Sequence, residues 1–222
     1  MRKKVTIFLL ATMMIFGIGM NTYAVDIEVY TEKWLGAKYD YHQDVTSRYD
    51  LTELNDSYDL SSNFFGFELV ARRFYYGVEH GVFGSIKYPW GSRNLTITDV
   101  RFGCRVVKNK VCTLDIFNGF LNMDGVRTYF DNNGDRSSLT LGGNLSFDIA
   151  DRVLLQGCCE IPSAGDVIAY NIKTGFLLTP RFALTAGYRS YEFTHEDDAD
   201  DYDNESFSGK LNGMTLGLDL KF

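Results

Sequence analysis

The sequence predicts an all-β fold, an up-and-down antiparallel barrel whose strands cross a membrane. Three observations predict it: apolar and polar side chains alternate along most of the chain, an apolar leader occupies the N-terminus, and short and long connections alternate. The composition agrees, because 14 Tyr, 17 Phe and 21 Gly with only 3 Pro favour pleated sheet over helix. We expect ten strands, with eight as the alternative.

The N-terminus has the features of a cleavable secretory signal peptide. Three basic residues at 2–4 precede an apolar run from Val5 to about Met20, and the small-residue pattern Thr22-Tyr23-Ala24 follows. The run is shorter than the ~20 residues that a spanning helix needs. We therefore expect residues 1–24 to be a signal peptide cleaved near Ala24, and residues 25–222 to form a single barrel domain.

The charge and hydropathy of the remaining chain limit the kinds of partner that it can bind and the ways in which it can cross a membrane. Removal of the three basic leader residues changes the formal net charge from −7 to −10, which argues against nucleic acid as a partner. No apolar stretch of ~18 residues follows the leader, so the chain could cross a bilayer only as a closed barrel.

The strands are clearest in the second half of the chain. Apolar residues alternate with polar ones from Leu139 to Ile149, and similar strands are predicted from Val153, Ile168 and Phe182. The chain ends on a strand whose alternate residues are all apolar. Those residues are Met214, Leu216, Leu218, Leu220 and Phe222.

The first strand has a conflict in its register. If Leu35, Ala37, Tyr39 and Tyr41 form its apolar face, Lys33 lies on the same face. A lysine that faces lipid near the bilayer midplane costs roughly 2–4 kcal/mol. We therefore expect that the spanning part begins after Lys33 or that a β-bulge resets the register.

The third strand has a similar conflict. Its predicted apolar face contains Tyr76, Val78, Val82 and Ile86, and His80 falls among them.

The connections fall into two classes that alternate along the chain, as in membrane barrels. A soluble sandwich with Greek-key crossings has no reason for this alternation. Short turns are predicted near 73–75, 108–110, 150–152 and 179–181, and longer or more polar links near 42–61, 89–93, 122–137, 162–166 and 194–207. We expect loops 42–61, 122–137 and 194–207 to be presented outside the cell.

Together these features resemble the small bacterial outer-membrane β-barrel superfamily, the OmpA-type and porin-like barrels of Gram-negative bacteria. The resemblance is architectural, covers the chain after the leader and indicates no subfamily. It implies an outer-membrane location and contact with outer-membrane lipid and lipopolysaccharide. It also implies that the assembly machinery recognises the last strand through Leu216, Leu218, Leu220 and Phe222.

The polar face of the strands supplies the predicted barrel interior. It carries similar numbers of acidic and basic residues together with the bulky Phe83, Phe117 and Tyr191. Side chains can fill a barrel of eight to ten strands, and opposite charges inside it would pair. The predicted interior network contains Glu68, Arg72, Glu79, Asp99, Arg101, Arg105, Asp115, Lys173, Arg189 and Asp219.

The four cysteines leave alternatives open. Cys104 and Cys112 flank Lys108 symmetrically, so they would face each other on adjacent strands, either bridged or as free thiols. We expect the adjacent Cys158 and Cys159 to be unpaired or paired elsewhere.

No motif predicts a metal, a cofactor or a catalytic centre. The acidic stretch 195–205 could gather divalent cations but is more simply a solvated loop. Residues 131–137 resemble half of an EF-hand loop but have Arg136 where that loop needs glycine. Of the three histidines, only His195 lies near a serine, Ser190, and we expect no enzymatic activity.

The function that the sequence favours is structural or interactive. We expect a monomeric barrel with a charge-plugged interior that presents its outer loops for surface interactions. The alternative is a narrow pore for small solutes, and a lipid-modifying enzyme is a third and weaker alternative.

Overall fold

The chain folds as a closed barrel of antiparallel strands that follow one another around its circumference. The computed structural model describes residues 25–46, 51–88, 91–126, 136–197 and 204–222. Within them lie ten strands, and pairing between the first and the last closes the barrel. They are β1 (Val25–Thr46), β2 (Leu51–Ala71), β3 (Phe74–Tyr88), β4 (Gly91–Lys108), β5 (Cys112–Asp124), β6 (Arg136–Ala150), β7 (Val153–Ala164), β8 (Val167–Thr179), β9 (Phe182–Asp197) and β10 (Asn204–Lys221).

The prediction of an all-β, up-and-down barrel with ten strands is thus confirmed, and the alternative of eight strands is wrong. The predicted signal peptide, residues 1–24, lies outside the described residues. Among those described, no helix is long and apolar enough to cross a membrane.

The strands are tilted relative to the barrel axis. This is seen when residue-to-residue pairing is followed once around the barrel, because it does not return to the residue from which it started. A line of directly paired residues through Lys33 reaches β5 at Asp124 in one direction and at Cys112 in the other, a displacement of 12 residues. Ten strands with this displacement enclose a narrow lumen that side chains can fill.

The two ends of the barrel differ. At one end, the short-turn end, neighbouring strands are joined by two or three residues, such as Arg72 and Arg73 between β2 and β3. At the other, the extended end, β1 and β2 continue for 22 and 21 residues, whereas β7 has 12.

The segments predicted as long loops are shorter than expected. β1 continues to Thr46 and β2 begins at Leu51, so most of 42–61 is strand, and β9 and β10 likewise take up both ends of 194–207. Inward aromatic residues such as Tyr41 and Phe207 continue to pack together at this end. The strand pairing therefore continues where a polar loop was predicted. Residues 127–135 and 198–203, which hold parts of the two acidic segments, lie outside the described residues.

A β-bulge at Gly36 resolves the register conflict in β1. Gly36 has a φ of 60°, and the pairing of β1 with both neighbours shifts there. Lys33 and Leu35 are exposed on the outer wall, while Ala37, Tyr39 and Tyr41 are buried inside. The bulge is therefore confirmed, and a start after Lys33 is wrong because β1 begins at Val25.

A second shift in pairing lies in β3 between Val82 and Ser85. Val82 is exposed on the outer wall, but Ile86 is buried in the lumen. The predicted outward position of Ile86 is wrong because the irregularity exchanges the two faces of the strand.

The outer wall carries a belt of exposed apolar side chains, as a strand surface in contact with lipid requires. The belt includes Leu35, Phe65, Phe74, Val82, Phe102, Phe120, Leu141, Ile149, Ile161, Ile172, Phe176, Leu184, Met214, Leu216, Leu218, Leu220 and Phe222.

Candidate functional site: two layers across the lumen

A network of buried ion pairs crosses the lumen at about the middle of the barrel. It is centred on Glu79 of β3, whose carboxylate accepts hydrogen bonds from Arg101 of β4 at 3.1 Å and from Arg189 of β9 at 2.6 Å. Tyr30 of β1 also donates to Glu79. One carboxylate therefore connects strands from opposite sides of the barrel wall.

Arg101 extends this network toward β7. Its Nε donates to Glu160 at 2.8 Å, and its Nη2 lies 2.5 Å from Asp99. Glu160 also accepts a hydrogen bond from the hydroxyl of Thr140 at 2.8 Å. Because Arg101, Asp99 and Glu160 are all buried, these pairs are shielded from solvent screening.

The network continues to β8 and β10 on the other side. Arg189 lies 3.4 Å from Glu32, and Lys173 lies 3.7 Å from Glu32 and 3.1 Å from Asp219. We call this set the charge layer. Its members are Glu32, Glu79, Asp99, Arg101, Glu160, Lys173, Arg189 and Asp219.

A smaller ion-pair cluster lies nearer the short-turn end. Arg105 donates through two nitrogens to Asp115, at 2.8 and 3.2 Å, and lies 3.2 Å from Asp26. Lys108 lies 2.6 Å from the same Asp26 oxygen. These residues line a polar vestibule of about 240 Å³ that lies below the charge layer.

The structure places the ten predicted network residues as follows. Glu79, Asp99, Arg101, Lys173, Arg189 and Asp219 belong to the charge layer, and Arg105 and Asp115 to the vestibule. Glu68 lines the vestibule without an ion pair among those found in the described residues. The prediction for Arg72 is wrong: it lies exposed in the β2–β3 turn with a φ of 58°.

Sequence reasoning missed Glu32 and Tyr30. Both lie on the inward face of β1 below the bulge, two residues apart and followed by the buried Trp34. The register that turns Leu35 outward also turns Tyr30 and Glu32 inward, as the structure has them. One of the two expectations, however, placed the start of the spanning part after Lys33, and neither residue was included in the predicted network.

An aromatic layer covers the charge layer on the side of the extended end. Trp34 stacks on Phe64 with ring centroids 5.7 Å apart and on Tyr191 at 6.2 Å, and Phe83 packs edge-on at 5.1 Å. The Arg189 guanidinium lies 4.9 Å from the centre of the Phe64 ring. This cation–π contact joins the two layers directly.

More apolar residues continue this layer toward the extended end. Tyr39 stacks on Phe193 at 6.3 Å, and Phe193 stacks on Phe207 at 5.3 Å. The layer is completed by Tyr41, Leu60, Ile86, Leu95, Ile97, Leu121, Met123, Val126, Val167, Ala169 and Leu211, all buried.

The lumen is therefore filled by two chemically different layers. Phe83 and Tyr191 belong to the aromatic layer, and Phe117 packs lower, against Tyr75 at 5.6 Å. A water-filled path through the described residues would have to separate both the ion pairs and the stacked rings. The sequence predicted the charged part of this barrier and the inward positions of Phe83, Phe117 and Tyr191, but it did not predict the other members of the aromatic layer.

The cysteines do not have the predicted arrangement. Cys104 lies opposite Ile116, and Cys112 opposite Phe147, so the predicted opposition of Cys104 and Cys112 is wrong. The turn lies at residues 109–111, and Lys108 is still in β4 and pairs with Thr113, so the hairpin is centred near Lys110 instead of Lys108. All four cysteines are free thiols.

The last strand exposes its apolar face outward. Leu216, Leu218, Leu220 and Phe222 are all exposed. The N–H of Phe222 donates to the Ile27 carbonyl at 2.9 Å, so the terminal residue closes the ladder between β10 and β1. Its recognition by an assembly machinery remains a prediction.

The candidates for other chemistry are dispersed. His80 is exposed on the outer wall, 2.9 Å from the hydroxyl of Thr98. Ser190 lies 3.5 Å from Glu192, and the side chain of His195 lies outside the described residues. Within the described ranges, no group of three or more His, Cys, Asp or Glu is arranged to hold a metal ion.

Comparison with known proteins indicates the fold. No family model matches the sequence, and no curated protein does. Among solved structures, the outer membrane protease OmpT of Escherichia coli has a TM-score of 0.66 at 8% identity, covering 91% of this chain and 99% of that chain. Two further structures are less similar. The translocator domain of autotransporter NalP from Neisseria meningitidis has a TM-score of 0.40 at 11% identity, covering 98% of this chain and 96% of that chain. Neisserial surface protein A has a TM-score of 0.37 at 12% identity, covering 88% of this chain and 97% of that chain. The chain therefore has the fold of the bacterial outer-membrane β-barrels.

Proposed function

We propose that the chain is a closed outer-membrane barrel that serves as a structural and surface-interaction platform. The observation that supports this proposal is that two layers, the charge layer and the aromatic layer, fill the lumen one above the other. A barrel built for diffusion has no use for stacked rings across its path, because they must move before a solute can pass.

The extended end is the part that the platform presents. In single-chain bacterial barrels the short turns face the periplasm and the longer connections face outward. This rule places the upper parts of β1, β2, β9 and β10 outside the cell, beyond the apolar belt. Their outward side chains are polar there, for example Asp40, Ser57 and Thr194.

The same proposal includes a monomer without enzymatic activity. Because β1 pairs with β10, no strand edge remains to recruit a second chain. The role of the last strand in assembly belongs to the proposal as well, since its apolar residues and terminal Phe222 are exposed along the barrel wall.

Cysteine labelling of intact cells tests the orientation of the platform. In a background without the four native cysteines, Ser57→Cys should react with a membrane-impermeant maleimide on whole cells. Asp151→Cys, in the turn between β6 and β7 at the short-turn end, should react only after the outer membrane is permeabilised. Equal labelling of both positions on intact cells would contradict the proposal.

A further inference from the structure

The outer wall carries a lysine without an ion-pair partner inside the apolar belt. Lys33 is exposed there and lies directly opposite Leu216 of β10 and Asn63 of β2. None of the ion pairs formed by the described residues includes Lys33. A cation in contact with lipid is costly unless it meets an anion, so an anionic group from outside the chain is the natural partner.

An apolar groove begins next to this lysine. The groove has a volume of about 420 Å³ and runs along β10 toward the short-turn end. Its apolar walls are formed by Leu184 of β9 and by Leu216 and Leu218 of β10, and Asn63 and Lys33 lie at its upper end. A groove with this lining accepts a hydrocarbon chain whose charged end lies at Lys33.

A second, polar groove lies on the same wall beyond the belt. It has a volume of about 620 Å³ and is lined by Asp40, Ser57, Thr194, Ser208 and Lys210, among others. Lys38 lies between the two grooves, opposite Asn212 of β10. Hydroxyls and carboxylates of this kind hydrogen-bond to the hydroxyl groups of a sugar.

Three kinds of surface are therefore arranged in order along this wall, from within the membrane outward. They are an apolar groove, two lysines, and a groove rich in hydroxyls and carboxylates. We propose that this wall binds one molecule of a phosphorylated glycolipid of the outer leaflet, of the lipid A type. Its acyl chain occupies the apolar groove, its phosphate meets Lys33 and Lys38, and its sugar lies against the polar groove. A glycerophospholipid offers no sugar to the upper groove. This inference goes beyond the platform function, which does not depend on it.

Native mass spectrometry of the refolded, delipidated barrel tests the site. The protein in detergent is titrated with synthetic diphosphorylated lipid A, with its dephosphorylated form, and with phosphatidylglycerol. Wild-type protein should hold one lipid A and bind the other two lipids more weakly. Lys33→Gln should weaken lipid A binding by about tenfold or more, the loss expected when one charge-assisted hydrogen bond is removed.

Two matched variants complete the test. Lys110→Gln removes the same charge in the exposed β4–β5 turn and should leave lipid A binding unchanged. Lys33→Leu should lose lipid A binding in the same way as Lys33→Gln while remaining folded. If Lys33→Leu keeps its lipid A, or if lipid A and phosphatidylglycerol bind equally well, the proposal is overturned.

Discussion

The Arg189 guanidinium donates a hydrogen bond to the Glu79 carboxylate at 2.6 Å, although β9 and β3 are not neighbours in the barrel. The contact crosses the lumen, and Glu79 is held from the other side by Arg101. This ion pair therefore connects opposite sides of the barrel wall through the lumen, in addition to the backbone hydrogen bonds that connect each strand to the next.

Glu79→Gln should strongly destabilise the barrel. The substitution removes the negative charge between two buried arginines, and breaking such a pair costs about 3–5 kcal/mol. Urea unfolding in lipid vesicles measures the loss. Glu192→Gln is the control, because its pair with Lys210 at 2.6 Å is partly exposed and should cost less than about 1 kcal/mol. Similar losses for both variants would show that the buried network does not carry stability.

Trp34→Ala should also be costly, for a different reason. Trp34 is in ring contact with Phe64, Phe83 and Tyr191, and truncating a buried aromatic costs about 3–5 kcal/mol through lost contacts and the cavity left behind. The same unfolding experiment on Phe65→Ala, which shortens an exposed residue of the lipid belt, should give a smaller loss. A larger loss for Phe65→Ala would contradict a packed aromatic layer.

Gly36→Ala should destabilise the barrel by about 1–2 kcal/mol, because a side chain at positive φ is strained. Space is not the cause, since a Cβ at Gly36 would meet nothing within 4 Å. Gly84→Ala is the matched control, because Gly84 has an ordinary φ and similarly open surroundings. Thermal unfolding followed by gel mobility compares the two variants. A control that unfolds as readily as Gly36→Ala would remove backbone strain as the explanation.

Deleting Gly36 should have a much larger effect than replacing it. Without the bulge, the side chains of Tyr39 and Tyr41 would turn from the aromatic layer to the outer wall. We expect little folded protein in refolding trials, as judged by its resistance to SDS without boiling. Normal refolding of the deletion variant would contradict the role of the bulge.

Removing Phe222 should impair insertion in cells more than folding in detergent. The residue contributes one backbone pair with Ile27, and its ring is exposed, so few internal contacts are lost. Membrane fractionation measures insertion, and refolding of the purified chain measures fold stability. Unchanged insertion would remove the assembly role that we propose for the last strand.

The regular strands were predictable because strict alternation leaves a single choice of faces. This holds for β6 to β10, and it placed Lys173, Arg189 and Asp219 inside correctly. Prediction from alternation failed where a single extra residue changes the register of a strand. Nothing in the sequence distinguishes Gly36 from glycines in regular strands, so the inward aromatics of upper β1 were assigned to the lipid face.

The charge layer was thus easier to predict than the aromatic layer. Charged side chains on a barrel strand are expected to face the interior, whereas aromatic side chains can face either lipid or a packed interior. Tyr39 and Phe65 illustrate the difficulty: the first is buried in the lumen and the second faces outward, although both occur in alternating strands. Only the pairing across strands separates them.

Single-channel recording in planar bilayers tests the closed lumen most directly. The purified wild-type barrel should give no steady conductance, and Glu79→Gln should give none either, because the aromatic layer still blocks the lumen. A steady ohmic step from folded wild-type protein would contradict the closed barrel and favour the narrow pore.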